Sequence, residues 1–258
     1  MLAASAVLVA AGASAQVTHN VTVGPTFSFS LDAISIDVGD TVLWTWAGAL
    51  FHSVESGVGG VPDGIFGSGA PVAGAGITFS VTFDQAFVNA NPVSGGVYDY
   101  FCIVHVGFGM TGTVTINQGV PYGCGVNPSG SLTTLSGKPK IGTTWTVGID
   151  NPLGTQPSGA AFLRISLAPA PGFPCGTSLP GFGMTNPGVD NGELLIDLGQ
   201  VQVMVDNVPW TGTGNPAAIP INIPNLPSIV GIEGFAQGAT MFAGNFGLTN
   251  ALTFSLLN

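Results

Sequence analysis

Positive charge is almost missing from this chain. Only Lys138, Lys140 and Arg164 supply it among 258 residues, against 13 Asp and Glu, for a net charge of −10. Gripping phosphates needs clustered Lys and Arg, so nucleic acid is excluded as a partner. Residues 16–118 contain no Lys or Arg at all; their charges are Asp32, Asp37, Asp40, Glu55, Asp63, Asp84 and Asp99. Such acidity suits a basic partner or the solubility of an exported protein. Histidine and cysteine are scarce too, at 3 each, and no His-x-His pair occurs. Beyond residue 15 no apolar run reaches the ~20 residues a spanning helix needs. No long helical period appears either.

Glycine and proline are plentiful, at 40 and 19. Short alternating apolar runs lie between Gly, Pro and Asn turns, the pattern of all-β domains. Strands are expected at 17–23, 27–31, 33–38, 40–46, 77–83, 97–102 and 110–116. In the run Asp40 to Trp46, Val42, Trp44 and Trp46 share one face and should point inward. His19 reads as an exposed strand residue. The glycine-rich stretch 55–76 reads as a loop. It lacks the following helix and Lys that a phosphate loop requires. Residues 1–15 read as a signal peptide, ending in Ala13-Ser14-Ala15, although no positive residue precedes the apolar stretch.

One stretch concentrates chemistry: Tyr98-Asp-Tyr-Phe-Cys-Ile-Val-His-Val-Gly-Phe-Gly-Met110. Cys102, His105 and Met110 are spaced Cys-x2-His-x4-Met, and His52 stands upstream in Leu50-Phe-His-Ser-Val-Glu55. A strand, a glycine-rich turn and a second strand would bring Cys, His and Met to one point, with His52 arriving from a neighbouring strand end. Thiolate, two imidazoles and a thioether form the ligand set of a trigonal His2Cys copper site with a weak axial Met. Hard cations would want an oxygen cage. Zinc is the rival occupant, but it rarely takes a thioether, so Met110 argues for copper.

The stretches Gly39-Asp-Thr-Val-Leu-Trp-Thr-Trp46, Phe51-His-Ser-Val54 and Tyr98-x-Tyr-Phe-Cys-x-x-His-x-x-x-Gly-Met-x-Gly-x-Val114 resemble the plastocyanin/halocyanin branch of the cupredoxins. The resemblance covers roughly residues 17–118. It implies a Greek-key sandwich over 16–118 holding one type 1 (blue) copper on His52, Cys102, His105 and Met110. It further implies a one-electron carrier and a protein redox partner. Electrons would leave through His105, inside a docking patch of Val106, Phe108 and Gly109. Val97, Phe101 and Met110 would exclude water, and Ser53 would tie the two ligand loops together. Residues 84–96 look like an insertion relative to a short cupredoxin turn.

Residues 119–122 read as a linker and 123–258 as a second β-sandwich or jelly-roll-like domain. Its expected strands are 131–135, 143–149, 161–167, 193–198, 201–205, 229–235, 240–242 and 252–256. Its phrasing resembles a C-terminal β module of bacterial secreted proteins, a likeness that implies no activity. Export favours a disulfide between Cys124 and Cys175; two free buried thiols are the alternative. An oxidase or reductase with a second copper site would need more histidines, and no Ser/His/Asp set is left once the motif is used. The chain therefore reads as no enzyme. It reads as an exported electron carrier of the periplasm, cell surface or medium, without a transmembrane segment after signal cleavage. The alternative is a secreted or surface binding or structural protein whose first domain merely holds copper.

Overall fold

The computed structural model describes residues 16–258, and the expected signal segment 1–15 lies outside them. The first half carries nine strands: β1 (Thr18–Val23), β2 (Phe29–Ser30), β3 (Ala33–Ile36), β4 (Thr41–Trp46), β5 (Glu55–Val58), β6 (Val61–Gly67), β7 (Thr78–Thr82), β8 (Val97–Phe101) and β9 (Thr111–Ile116). They form two sheets, ordered β2-β1-β4-β7 and β3-β9-β8-β5-β6. β1 runs parallel to β4 and β3 parallel to β9; the other pairs are antiparallel. As the alternation in β4 requires, Val42, Trp44 and Trp46 are fully buried while their neighbours are half-exposed. Phe83, Tyr98, Tyr100, Val114 and Ile116 complete the core. Burying one such large side chain is worth about 1.5–3 kcal/mol.

The glycine-rich stretch expected to be a loop is partly a hairpin. β5 and β6 meet with Val58 opposite Val61. The two residues between them, Gly59 and Gly60, have φ of 62° and 86°. A two-residue hairpin turn of this kind needs φ > 0 at both positions. Glycine made the segment look like a loop and is also what lets the hairpin close. The expected insertion at 84–96 holds a short helix, α1 (Gln85–Ala90), whose first turn is capped by the Asp84 carboxylate accepting from Phe87 N at 2.8 Å.

The second half contains β10 (Val120–Tyr122), β11 (Leu132–Ser136), β12 (Thr144–Ile149), β13 (Gly159–Ser166), β14 (Thr177–Leu179), β15 (Gly192–Leu194), β16 (Val201–Trp210), β17 (Ala217–Asn222), β18 (Glu233–Phe242) and β19 (Asn245–Ser255). A five-stranded sheet, β10-β19-β18-β13-β16, and a three-stranded sheet, β11-β12-β17, enclose an aliphatic core around Trp145. β14 and β15 form a separate hairpin. β17 was not expected because Pro220 interrupts its run. It is the edge strand of its sheet, where proline is tolerated. The two strands expected at 229–235 and 240–242 are one strand, β18, with a register shift between Gln237 and Ala239. Gly238, at that shift, breaks the apolar alternation.

Residues 119–122 are not a free linker. Val120, Pro121 and Tyr122 form β10 and pair with Thr253, Leu252 and Ala251 of β19. The halves also meet through side chains. Gly95 N donates to Thr253 Oγ1 at 2.8 Å, and Ser255 Oγ donates to Gly95 O at 2.9 Å. Gly95 has φ of 61°, and a Cβ there would lie 2.7 Å from Ser255 Oγ. Only glycine fits this close approach. Ser94 Oγ donates to Glu233 Oε2 at 2.7 Å, and Lys138 Nζ pairs with Asp37 Oδ1 at 2.6 Å.

Candidate metal centre

β8 delivers Cys102 just past its last residue, and a tight turn folds the following loop back on it. His105 N donates to Cys102 O at 3.1 Å. A single 3-10 turn, Val106–Phe108, ends at Gly109 with φ of 81°. Cys102 N then donates to Met110 O at 3.0 Å, which closes the loop at the start of β9. Cys102 and Met110 are fully buried. The loop is local, so its spacing was readable from sequence.

His52 comes from the other side, on the connection between β4 and β5. Its backbone forms an isolated bridge with Val72, with both hydrogen bonds at 2.9 Å. Trp46 Nε1 donates to His52 O at 3.3 Å. Gly24 presses on the imidazole: a Cβ there would lie 2.9 Å from Nε2, and its φ is 77°. The ring is fully buried. Burial, and then the charge of nearby His105, hold its pKa below the ordinary imidazole value. A neutral ring is what a metal ligand requires.

Three donors converge. His52 Nδ1 lies 3.7 Å from Cys102 Sγ, Cys102 Sγ lies 3.5 Å from His105 Nδ1, and the two Nδ1 atoms are 3.1 Å apart. A point equidistant from three atoms so separated lies about 2.0 Å from each, the length of a metal–imidazole bond at roughly 2.0–2.1 Å. The donors thus fit one ion without rearrangement, and their chemistry is that of a copper site.

The surroundings lock this triangle. Ser53 N points at Cys102 Sγ from 3.4 Å, and Ser53 Oγ accepts from Ile103 N at 3.1 Å. Ser53 therefore links the two ligand loops as expected, and it also places an N–H on the sulfur. Hydrogen bonds of that kind tune a thiolate centre. Phe101 is buried beside Cys102. Val97 is not near: it begins β8, five residues before Cys102, or about 16 Å along an extended strand. Its expected part in excluding water is withdrawn.

His105 differs from His52 in being half-exposed. The Phe27 ring stacks on it with centroids 4.3 Å apart, and Phe108 stands 5.0 Å from Phe27. Phe108 and Gly109 are exposed and Val106 is half-buried. Phe27 was not singled out from sequence, because it reaches His105 from the remote β1–β2 connection through tertiary packing alone. His19, expected to be exposed, is half-buried and bonded through Nε2 to Asp40 Oδ2 at 2.9 Å. Burial raises the Asp40 pKa, but hydrogen bonds from His19, Val17 N and Asp37 N outweigh it and hold the carboxyl below its ordinary value.

Cys124 and Cys175 form a disulfide with Cα atoms 5.1 Å apart. Glu193 accepts from Cys124 N at 3.0 Å and from Gly176 N at 2.9 Å. These three residues also lie close enough to suggest a metal cluster. A disulfide offers no thiolate, and the carboxylate is already engaged by backbone donors.

Residues 13–117 match the model of a family described as copper binding proteins, plastocyanin/azurin family. A purple cupredoxin from Nitrosopumilus maritimus is 27% identical over 38% of this chain and 97% of its own, with a TM-score of 0.29. An oxidised plastocyanin from Dryopteris crassirhizoma is 21% identical over 38% and 99%, with a TM-score of 0.30. A reduced amicyanin variant is 24% identical over 41% and 86%, with a TM-score of 0.28. No curated protein matches the chain. The expected cupredoxin resemblance is borne out through the family match over residues 13–117, whereas no named counterpart supports the likeness expected for the second half. Among the described residues, no helix is long and apolar enough to cross a membrane.

Proposed function

We propose that this chain is an exported type 1 copper protein that passes single electrons between redox partners. The observation that carries the reading is the donor triangle, two Nδ1 atoms and one Sγ separated by 3.1–3.7 Å. His52, Cys102, His105 and Met110 would hold one copper, the soft sulfurs and the imidazoles together suiting both of its oxidation states. Copper so held supplies a one-electron couple. The chain's own residues do the rest. The Val72 bridge fixes His52, Ser53 fixes the Cys102 loop, and Phe27 covers one face of His105, so the ligands have little freedom to reorganise.

His105 is the exit, because it alone of the three joins the buried triangle to solvent. Val106, Phe108 and Gly109 form the docking patch around it, which suits the small, weak encounters of redox proteins. The acidic first half favours a basic partner. The disulfide agrees with an oxidising compartment: periplasm, cell surface or medium. The reading assigns no catalysis, since His19 is engaged by Asp40 and no other histidine remains for a second copper.

Copper reconstitution followed by voltammetry tests this. Reversible one-electron cycling and an intense blue band, both lost in Cys102→Ser, are expected. Tight copper binding without cycling would instead favour a binding or structural role. An unchanged spectrum in Cys102→Ser would refute the assignment.

A further inference from the structure

We propose that the second half binds a small apolar molecule, such as a short aliphatic chain, in a cavity between its two sheets. The cavity measures about 160 Å³ and is lined from one sheet by Trp145 and Ile221 and from the other by Ile165, Val203 and Phe254, with Ile223 at one end. It is distinct from the metal centre in place and in chemistry.

Two features argue for a ligand. The interior offers water nothing to bond. Trp145 Nε1, the one polar side-chain atom of those six residues, is already spent on Thr134 Oγ1 at 3.2 Å. The polar lining residues, Gln202, Asn222 and Glu233, are all exposed, and Glu233 is held by Ser94. Apolar cavities of roughly 150 Å³ stay dry and accept small hydrocarbons. The lip is apolar as well. Leu167 and Ile232 line the cavity yet are 46% and 38% exposed. Large apolar side chains gathered at the rim of a pocket mark a binding mouth.

The occupant is a molecule with a slim apolar end and a polar head. The aliphatic end would lie between Trp145 and Val203. The head would remain at the mouth, beside the exposed amides of Gln202 and Asn222. The one charged lining residue, Glu233, is exposed and held by Ser94; its carboxylate disfavours an anionic head, so the cavity reads chain length behind a neutral head.

The experiment is a titration of the full-length, copper-loaded protein with a series of n-alkan-1-ols of increasing length, followed by tryptophan fluorescence and calorimetry. Affinity should rise about fourfold per methylene and then level off once the chain outgrows the cavity. Val203→Phe and Ile221→Phe, which fill the space from opposite sheets, should each abolish binding. Leu167→Asp at the exposed lip should weaken binding at least tenfold while leaving the far-ultraviolet circular dichroism and the blue band unchanged. Absence of chain-length dependence, or wild-type binding by all three variants, would overturn the proposal. So would binding confined to phosphatidylcholine vesicles with none to monomeric chains, which would assign the exposed lip to a membrane surface.

Discussion

The two halves of this chain are both β-sandwiches, yet they handle buried polarity in opposite ways. The first buries little of it: Asp40, His52, Ser53 and Ser56, together with the Cys102 thiol. Its core is otherwise aromatic, with Trp44, Trp46, Phe83, Tyr98 and Tyr100 all at 1% exposure or less. The second half buries many amides and hydroxyls and pairs them. Asn250 alone accepts from Ser131 Oγ and Leu132 N and donates to Leu132 O. Gln237 and Asn127 both donate to the carbonyls of Glu193 and Thr249. The contrast teaches where function can sit. Polar atoms consumed by one another hold a fold together, whereas the first half leaves sulfur and imidazole nitrogens pointing at a common centre.

Variants can break this contrast, beginning with the disulfide. A Cys124→Ser, Cys175→Ser double variant opens a cross-link of sequence separation 51. It should lose about 4 kcal/mol of stability by the chain-entropy argument. Urea unfolding should show the loss in the second half, with the blue band of the first half unchanged. Equal loss in both halves would mean that they unfold as one unit.

Asn250→Ala comes next. It strands Leu132 N inside the core, while the Ser131 hydroxyl keeps Pro128 O and the residue-250 backbone N–H, and should cost about 1–3 kcal/mol, measured by thermal and urea unfolding. A cost near zero would show that the buried amides of the second half are not what holds it.

The acid limb sharpens the comparison from the other side. Asp40 has a lowered pKa in the folded state, so its carboxylate stabilises the first half fully above its unfolded value, 3.8. That contribution is lost as pH falls through the still lower folded value. Asp40→Asn should therefore flatten the acid-side fall in stability of the first half and lower its stability at neutral pH. An acid limb identical to that of the natural chain would rule Asp40 out.

The smallest effect is expected at the joint. Lys138→Ala removes a partly exposed ion pair with Asp37 and should cost less than about 1 kcal/mol. Halves that then melt separately would show that this pair, rather than the β10–β19 ladder, couples them.

Much of the site was legible because its signals are local. Cys102, His105 and Met110 share one short loop, and His52 carries its own flanking context. Alternation exposed the inward set of β4 for the same reason. What escaped depends on distant partners. Phe27 meets His105 only after the β1–β2 connection folds over the site. β17 hides behind Pro220, which is tolerable only because the strand lies at an edge. The β5–β6 hairpin was obscured by glycines that signal both loops and tight turns. Residues 119–122 looked like a linker because three residues carry no periodicity of their own, and only β19 makes them a strand.

X-ray absorption on the copper-loaded protein measures the central claim most directly, since it counts the donors around the metal and identifies their elements. The expected shell has two nitrogens at about 2.0 Å and one short bond to sulfur, the arrangement offered by His52, Cys102 and His105. A shell of nitrogen and oxygen with no sulfur would contradict the account.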